Sequence, residues 1–135
     1  MNITSIILFV SSVLLGNTNP TDTEPVLSDS QKSYSDCVVK TSSAWGEDCS
    51  QCANWNDSYI VYLQNTCDQS IDVMICVQEE NKEWRRFQHT SMAPGDSLRA
   101  YACVGTGKYL AWGRRAGDES VGFPSLEQVN KDYTD

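Results

Sequence analysis

The sequence predicts an all-β domain, a small antiparallel β-sandwich or open barrel of about five strands, stabilised by disulfide bonds. Short runs rich in β-branched and aromatic residues recur between positions 59 and 114, and clusters of turn-forming residues separate them. No window of about 11 residues shows a convincing helical period. Six cysteines in a chain of 135 residues supply the covalent cross-links that so small a core needs.

Residues 1–17 are predicted to be a signal peptide. The apolar run from Ile6 to Leu15 is too short for a membrane-spanning helix of about 20 residues, but it suits the centre of an export signal. Residues 18–36 are polar, with many Thr, Ser and Asp, so we expect a flexible leader. We therefore expect a secreted or periplasmic protein with no stable membrane insertion after signal removal.

The predicted domain spans residues 37–126 and begins its β structure with Tyr59–Gln64. The next strand is Ile71–Val77, where every second residue is Ile or Val, which places those side chains on one core-facing side. Asn65–Ser70 between the two runs consists mainly of turn-forming residues. The two strands are therefore predicted to form a hairpin.

Further turn signals divide the rest of the domain. They lie at Glu79–Lys82, Ala93–Asp96 and Gly105–Gly107. The strands between and after them are Trp84–His89, Leu98–Cys103 and Tyr109–Arg114. A short terminal helix over Ser125–Tyr133 is compatible with the sequence, and residues 127–135 are otherwise a polar, acidic tail.

The sequence leaves the register of the last strand open. Either Leu110 and Trp112 face the core, or the opposite register exposes Trp112 beside Arg114 and Arg115. The chain has four tryptophans and six tyrosines, more than one small core can bury. At least one aromatic ring is therefore expected at the surface, where such rings serve interfaces and sugar-stacking sites.

All six cysteines are predicted to be half-cystines: Cys37, Cys49, Cys52, Cys67, Cys76 and Cys103. The predicted hairpin would separate Cys67 from Cys76 by roughly 20 Å, whereas a disulfide needs Cα atoms within about 7 Å, so we expect these two not to pair. Cys103 is expected to meet Cys67 or Cys76 across strands. The earlier cysteines are expected to attach the segment Asp36–Asn56 to the sheet.

Cys49-Ser50-Gln51-Cys52 is a CxxC motif, which thiol oxidoreductases and zinc sites also use. Acidic residues precede it and disfavour a thiolate, and no βαβ pattern surrounds it. A zinc site completed by Cys67 and Cys76 would have an unusually long second spacing. The oxidising context favours structural half-cystines, and no metal or cofactor is expected.

The charge distribution narrows the possible partners. A net charge of −8 excludes nucleic acid as the expected ligand, because phosphate binding draws on a surplus of Lys and Arg. Residues 18–58 carry seven acidic and two basic side chains, whereas residues 83–115 carry two acidic and six basic ones. The candidate contact residues lie in the second segment: Arg85, Arg86, Arg99, Lys108, Tyr109, Trp112, Arg114 and Arg115.

No set of residues predicts catalysis. The single histidine, His89, is not accompanied by a nucleophile-elbow motif. We therefore expect an exported, non-catalytic binding module that recognises a protein or glycan partner. An inhibitor of a basic enzyme would use the acidic charge, whereas an anionic-glycan binder would use the basic cluster. The alternatives are a thiol-redox or metal-binding protein using Cys49 and Cys52, and a structural or surface-assembly protein.

Overall fold

A computed structural model describes residues 33–134, which form a β-sandwich of two antiparallel, three-stranded sheets. The first sheet has the order β1-β2-β5 and the second the order β4-β3-β6. The strands are β1 (Val38–Trp45), β2 (Tyr59–Asn65), β3 (Ile71–Glu79), β4 (Trp84–Met92), β5 (Ser97–Ala102) and β6 (Gly105–Arg115). The predicted all-β, antiparallel fold is confirmed, as a sandwich of six strands. The predicted signal peptide, residues 1–17, lies outside the described residues.

Strand β1 is the element that sequence reasoning missed. It pairs antiparallel with β2 along the edge of the first sheet, and six of its eight residues are exposed. An edge strand that buries so little needs no alternation of apolar and polar residues. Its Ser- and Thr-rich sequence therefore carries no pattern that predicts a strand.

The predicted hairpin of Tyr59–Gln64 with Ile71–Val77 is wrong, because β2 and β3 lie in different sheets. Strand β2 pairs with β1 and β5, whereas β3 pairs with β4 and β6. The inner faces of the two strands meet in one hydrophobic core, where Leu63 of β2 and Ile75 of β3 are both fully buried. Turn-forming residues predict that the chain changes direction, but not whether it returns beside the same strand or opposite it.

The segment Gly105–Gly107 was also predicted wrongly. It was expected to be a turn, but it belongs to β6. The turn falls at Cys103 and Val104 and carries the chain from the first sheet to the second. The carboxylate of Glu79 accepts hydrogen bonds from both backbone N–H groups of this turn, at 3.3 and 3.2 Å. The predicted turn at Glu79–Lys82 is present, and the strands on either side of it, β3 and β4, pair antiparallel.

The register of β6 combines features of both expected alternatives. Tyr109 and Ala111 pack against the inner core, so Leu110 and Trp112 lie on the outer face of the second sheet. That face is not bare, because a terminal helix covers it: α1 (Leu126–Asp132) buries Val129 completely. Trp112 is therefore half-buried rather than exposed.

The ordered domain extends past the predicted limits of 37–126 at both ends. Before β1, a 3-10 helix (Tyr34–Cys37) buries the ring of Tyr34 in the inner core. After β6, Ser125 caps α1 by accepting a hydrogen bond from the Gln128 N–H group. A single buried side chain at each end, Tyr34 before β1 and Val129 in α1, anchors an otherwise polar segment. The composition of these segments does not predict such anchors.

A buried ion pair fixes the segment between β6 and α1. Asp72 of β3 is nearly inaccessible, and its carboxylate accepts hydrogen bonds from Arg114 Nε at 3.0 Å and from the backbone N–H groups of Ser91 and Gly117. Arg114 in turn donates to the Val121 carbonyl oxygen. Burial by itself raises the pKa of Asp72, but these hydrogen bonds and the guanidinium charge outweigh it and lower the pKa.

Replacing Asp72 with Asn should lower the free energy of unfolding at neutral pH by about 3 kcal/mol, because three donors lose a charged acceptor. The folded pKa of Asp72 lies below the roughly 3.9 of an unfolded aspartate, so its stabilisation is complete above that value and is lost as the pH falls through the folded pKa. Urea unfolding across acidic pH measures this. Asp68→Asn, at an exposed position, is the control. Equal acid sensitivity of Asp72→Asn and the unchanged protein would contradict the assignment.

Candidate functional site

A cleft of about 450 Å³ opens where the start of β4, the first half of β6 and the residues after α1 come together. We call it the aromatic cleft. Its lining residues are Trp84, Gly107, Lys108, Tyr109, Leu110, Asp132, Tyr133 and Thr134. Two aromatic residues of the outer face, Trp84 and Tyr133, therefore share one space with the ammonium group of Lys108 and the carboxylate of Asp132, which suits a ligand with both an apolar face and hydrogen-bonding groups. Tyr109 also borders the cleft, but its ring packs against the inner core.

Two hydrogen bonds donated by Trp84 fix the position of α1 and of Tyr133, the residue that follows it. The Trp84 indole Nε1–H donates to the Tyr133 carbonyl oxygen at 2.7 Å, and the Trp84 backbone N–H donates to Asn130 Oδ1. The ring of Tyr133 also packs edge-on against Trp112, with centroids 6.3 Å apart. Sequence reasoning missed Asp132 and Tyr133, because they lie in the segment that it assigned to a polar tail.

Two glycines let aromatic side chains from the first sheet press against β6 beside the cleft. Gly107 has a positive φ of 87°, and a Cβ there would lie 3.0 Å from the ring of Trp45. At Gly105 a Cβ would lie 2.5 Å from the Cβ of Tyr59, whose ring packs on Trp45. Trp45 is 57% exposed, so the predicted surface aromatic is present next to the cleft.

Of the eight predicted contact residues, the cleft includes Lys108 and Tyr109. Arg85 and Arg99 instead flank the ring of Tyr101, with guanidinium carbons 5.3 and 5.5 Å from its centroid. Arg85 is also paired with the Glu79 carboxylate at 3.1 Å. These two arginines therefore form a separate cluster. Both contact the ring of Tyr101, and Arg85 is also paired with Glu79.

The other predicted contact residues are placed apart from the cleft. Trp112 packs in the cluster under α1, and Arg114 is engaged by Asp72. Arg86 and Arg115 are exposed, on strands β4 and β6. The basic segment identified in the sequence thus does not form a single surface, because neighbouring residues of a strand point to opposite faces of the sheet.

Four of the six cysteines form two disulfides, Cys37–Cys67 and Cys52–Cys103. Cys37 and Cys52 both precede β2, and their partners directly follow strands of the first sheet: Cys67 follows β2 and Cys103 follows β5. The predicted attachment of the Asp36–Asn56 segment to the sheet is therefore confirmed. Cys67 does not pair with Cys76, also as predicted. The expected partner of Cys103, either Cys67 or Cys76, was wrong, because no local pattern indicates that Cys52 lies beside the end of β5.

The prediction that all six cysteines are bridged fails at Cys49 and Cys76, which are buried thiols. Cys49 packs with Ile60 outside the first sheet, and Cys76 packs with Trp84 outside the second, so the sandwich separates them. Burial raises the pKa of Cys76 to about 11, although the charge of Arg86 opposes the shift. Cys49 Sγ, in contrast, lies 3.3 Å from Cys52 Sγ of a disulfide.

The remaining sequence candidates take simple structural positions. The zinc alternative needed Cys67, which is bridged, and Cys76, which lies in the other sheet from the CxxC loop. Residues 33–134 contain no group of three or more His, Cys, Asp or Glu side chains placed to hold a metal ion. His89 Nδ1 lies 3.1 Å from the Thr90 carbonyl oxygen. No helix within this described range is long and apolar enough to cross a membrane.

Comparison with protein-family models, curated proteins and solved structures finds no match to this chain. Within residues 33–134, chemically useful groups converge at the aromatic cleft and at the sulfur atoms around Cys49.

The close approach of Gly105 to Tyr59 yields a stability test. Gly105→Ala should lower the free energy of unfolding by about 1–3 kcal/mol, because the added methyl group would overlap the Tyr59 Cβ, which cannot move away without a shift of the β2 backbone. Gly122→Ala is the matched control, since a Cβ there meets no atom within 4 Å. Urea unfolding measures both variants, and equal effects would show that the approach of β6 to β2 is not tight.

The disulfide pattern predicts how many thiols can be alkylated. Unfolded protein that has not been reduced should take up two labels per molecule, because Cys49 and Cys76 are outside the bridges. Reduced protein should take up six. Intact mass measures both numbers, and an unreduced protein that takes up no label would show a third bridge.

Proposed function

We propose that this protein is an exported, non-catalytic binding module and that its aromatic cleft binds a sugar ring of a glycan. The observation that supports this is the meeting of Trp84 and Tyr133 with Lys108 and Asp132 around one open space. Its volume of about 450 Å³ falls within the range of roughly 300–1,000 Å³ that is typical of small-ligand sites.

The chemistry of the cleft favours a saccharide over a purely apolar ligand. A sugar ring offers C–H groups on its faces, which pack on aromatic rings, and hydroxyls on its edge. The Lys108 ammonium can donate to such hydroxyls, and the Asp132 carboxylate can accept from them. Both signs of charge are present in the cleft, so a neutral sugar suits it as well as an anionic one.

Export is supported by the cross-links and by the predicted signal. Two disulfides in a domain of this size fit folding in an oxidising compartment. Asn56 of the sequon Asn56-Asp57-Ser58 is exposed, as an N-glycosylation site would need to be in a host that modifies secreted proteins. Both features agree with a protein that acts outside the cytosol.

The other functions expected from the sequence have less support. An inhibitor of a basic enzyme would draw on the net charge of −8, which is a property of the composition and does not identify a contact surface. A thiol oxidoreductase acting on proteins needs an accessible thiolate, whereas Cys49 is fully buried. Binding of a protein rather than a glycan is therefore the main competing outcome of the test.

The binding test compares variants that keep the fold. Tyr133→Ala removes the ring but keeps the carbonyl group that holds Trp84. It should weaken binding of a glycan identified on an oligosaccharide array by about three- to tenfold, because one stacking face is lost. Lys108→Ala should weaken it by a similar factor. NMR titration that follows the Trp84 indole N–H measures the affinity.

Trp55→Ala is the matched control, because Trp55 is an exposed aromatic residue outside the cleft. Its affinity should equal that of the unchanged protein. No binding to any oligosaccharide on neutral and anionic arrays, or equal losses in all three variants, would contradict the proposal. Capture of a protein partner that is insensitive to Tyr133→Ala would contradict it as well.

A further inference from the structure

Three sulfur atoms lie together on the outer face of the first sheet. Cys52 and Cys103 form a disulfide, and the thiol sulfur of Cys49 lies 3.3 Å from Cys52 Sγ. Ile60, Tyr62 and Tyr101 pack around them. A thiol in direct contact with a disulfide has the reactants of thiol–disulfide exchange already in place, so encounter requires no diffusion.

Backbone contacts keep Cys49 and Cys52 close whatever the pairing of their sulfurs. The Cys52 N–H donates to the Cys49 carbonyl oxygen at 2.9 Å, which closes a turn across the CxxC motif. The loop is further held at Glu47, whose backbone carbonyl accepts from the Ser58 hydroxyl and whose side chain accepts from the Tyr62 hydroxyl. A turn of this kind brings Cα atoms within about 7 Å, the separation that a disulfide needs.

The turn that carries Cys103 is also held independently of its disulfide. The Glu79 carboxylate accepts from the N–H groups of Cys103 and Val104, and the Glu80 N–H donates to the Val104 carbonyl oxygen at 2.7 Å. Loss of the Cys52–Cys103 bond would therefore leave Cys103 in place at the end of β5. Cys103 is half-buried, whereas Cys49 is fully buried.

We propose that Cys49, Cys52 and Cys103 form an exchange site that moves the reactive thiol from a buried position to an accessible one. The Cys49 thiol loses its proton to solvent, and its thiolate attacks Cys52 Sγ. A Cys49–Cys52 disulfide forms, the Cys52–Cys103 bond breaks, and Cys103 leaves as a thiolate that takes up a proton. The numbers of disulfides and thiols are unchanged, so the step needs no external oxidant.

The exchange places the free thiol at the half-buried Cys103 rather than at the fully buried Cys49, which makes Cys103 a modification site for low-molecular-weight disulfides. The Cys103 thiolate attacks a small disulfide, forms a mixed disulfide and releases one small thiol. The CxxC disulfide remains closed during this second step. Cys103 is therefore modified when small disulfides are present, and the protein stays folded. This reaction does not involve the aromatic cleft.

The test locates the free thiol in the native protein. Unreduced, full-length protein is incubated with a maleimide in mildly alkaline buffer, quenched in acid and digested without reduction. Peptide mass spectrometry should find the label on Cys103 together with a Cys49–Cys52 cross-link. Label on Cys49 with the Cys52–Cys103 bridge intact would overturn the proposal, as would protein that keeps this bridge and takes up no label on these three residues.

Two serine variants separate exchange from simple exposure of Cys103. Cys49→Ser removes the nucleophile, so labelling of Cys103 should fall about tenfold or more, and oxidised glutathione should no longer form a mixed disulfide there. Cys76→Ser removes the other buried thiol and should leave both reactions unchanged. Equal labelling of Cys103 in both variants would overturn the proposal. If Cys49→Ser does not fold, the cross-link found in the unchanged protein decides the question.

Discussion

The burial of β3 on both faces is the constraint on which the rest of the structure depends. Its inner face meets the first sheet in the main core, and its outer face lies under α1 and the segment that leads to it. The outer face includes polar side chains, which therefore need partners: Asp72 is held by Arg114, and Gln78 accepts from the Thr106 hydroxyl. The residues that follow α1 then become a wall of the aromatic cleft.

The first sheet is covered in a corresponding way, by the loop between β1 and β2. This loop is tied to the end of β5 through Cys52–Cys103, and it buries Cys49 against Ile60. Both proposed sites thus belong to the outer covers of the sandwich rather than to its core. Side chains in the core are committed to packing, whereas a cover made of loops and a short helix can bring together groups from distant parts of the chain.

The sequence predicted the strands better than their arrangement. The segments that became β2 to β6 were identified because burial on one or two faces leaves β-branched and aromatic residues in the sequence. The pairing of β2 with β3 was predicted wrongly, because the turn residues of a hairpin and of a crossover between sheets are the same. Of the contact residues, Lys108 and Tyr109 line the cleft, whereas Arg114 is committed to Asp72, and no pattern in the sequence distinguishes these roles.

By itself, the sequence determined the class of fold, the need for cross-links and the surplus of aromatic residues. Each of these follows from composition and from the alternation of neighbouring residues, which are local properties. Tertiary structure alone decided that Cys103 pairs with Cys52, that Cys49 contacts that bridge, and that Tyr133 completes a cleft with Trp84. These contacts join residues that are far apart in the chain, so they depend on which sheet each strand enters, and that choice is made by packing in three dimensions.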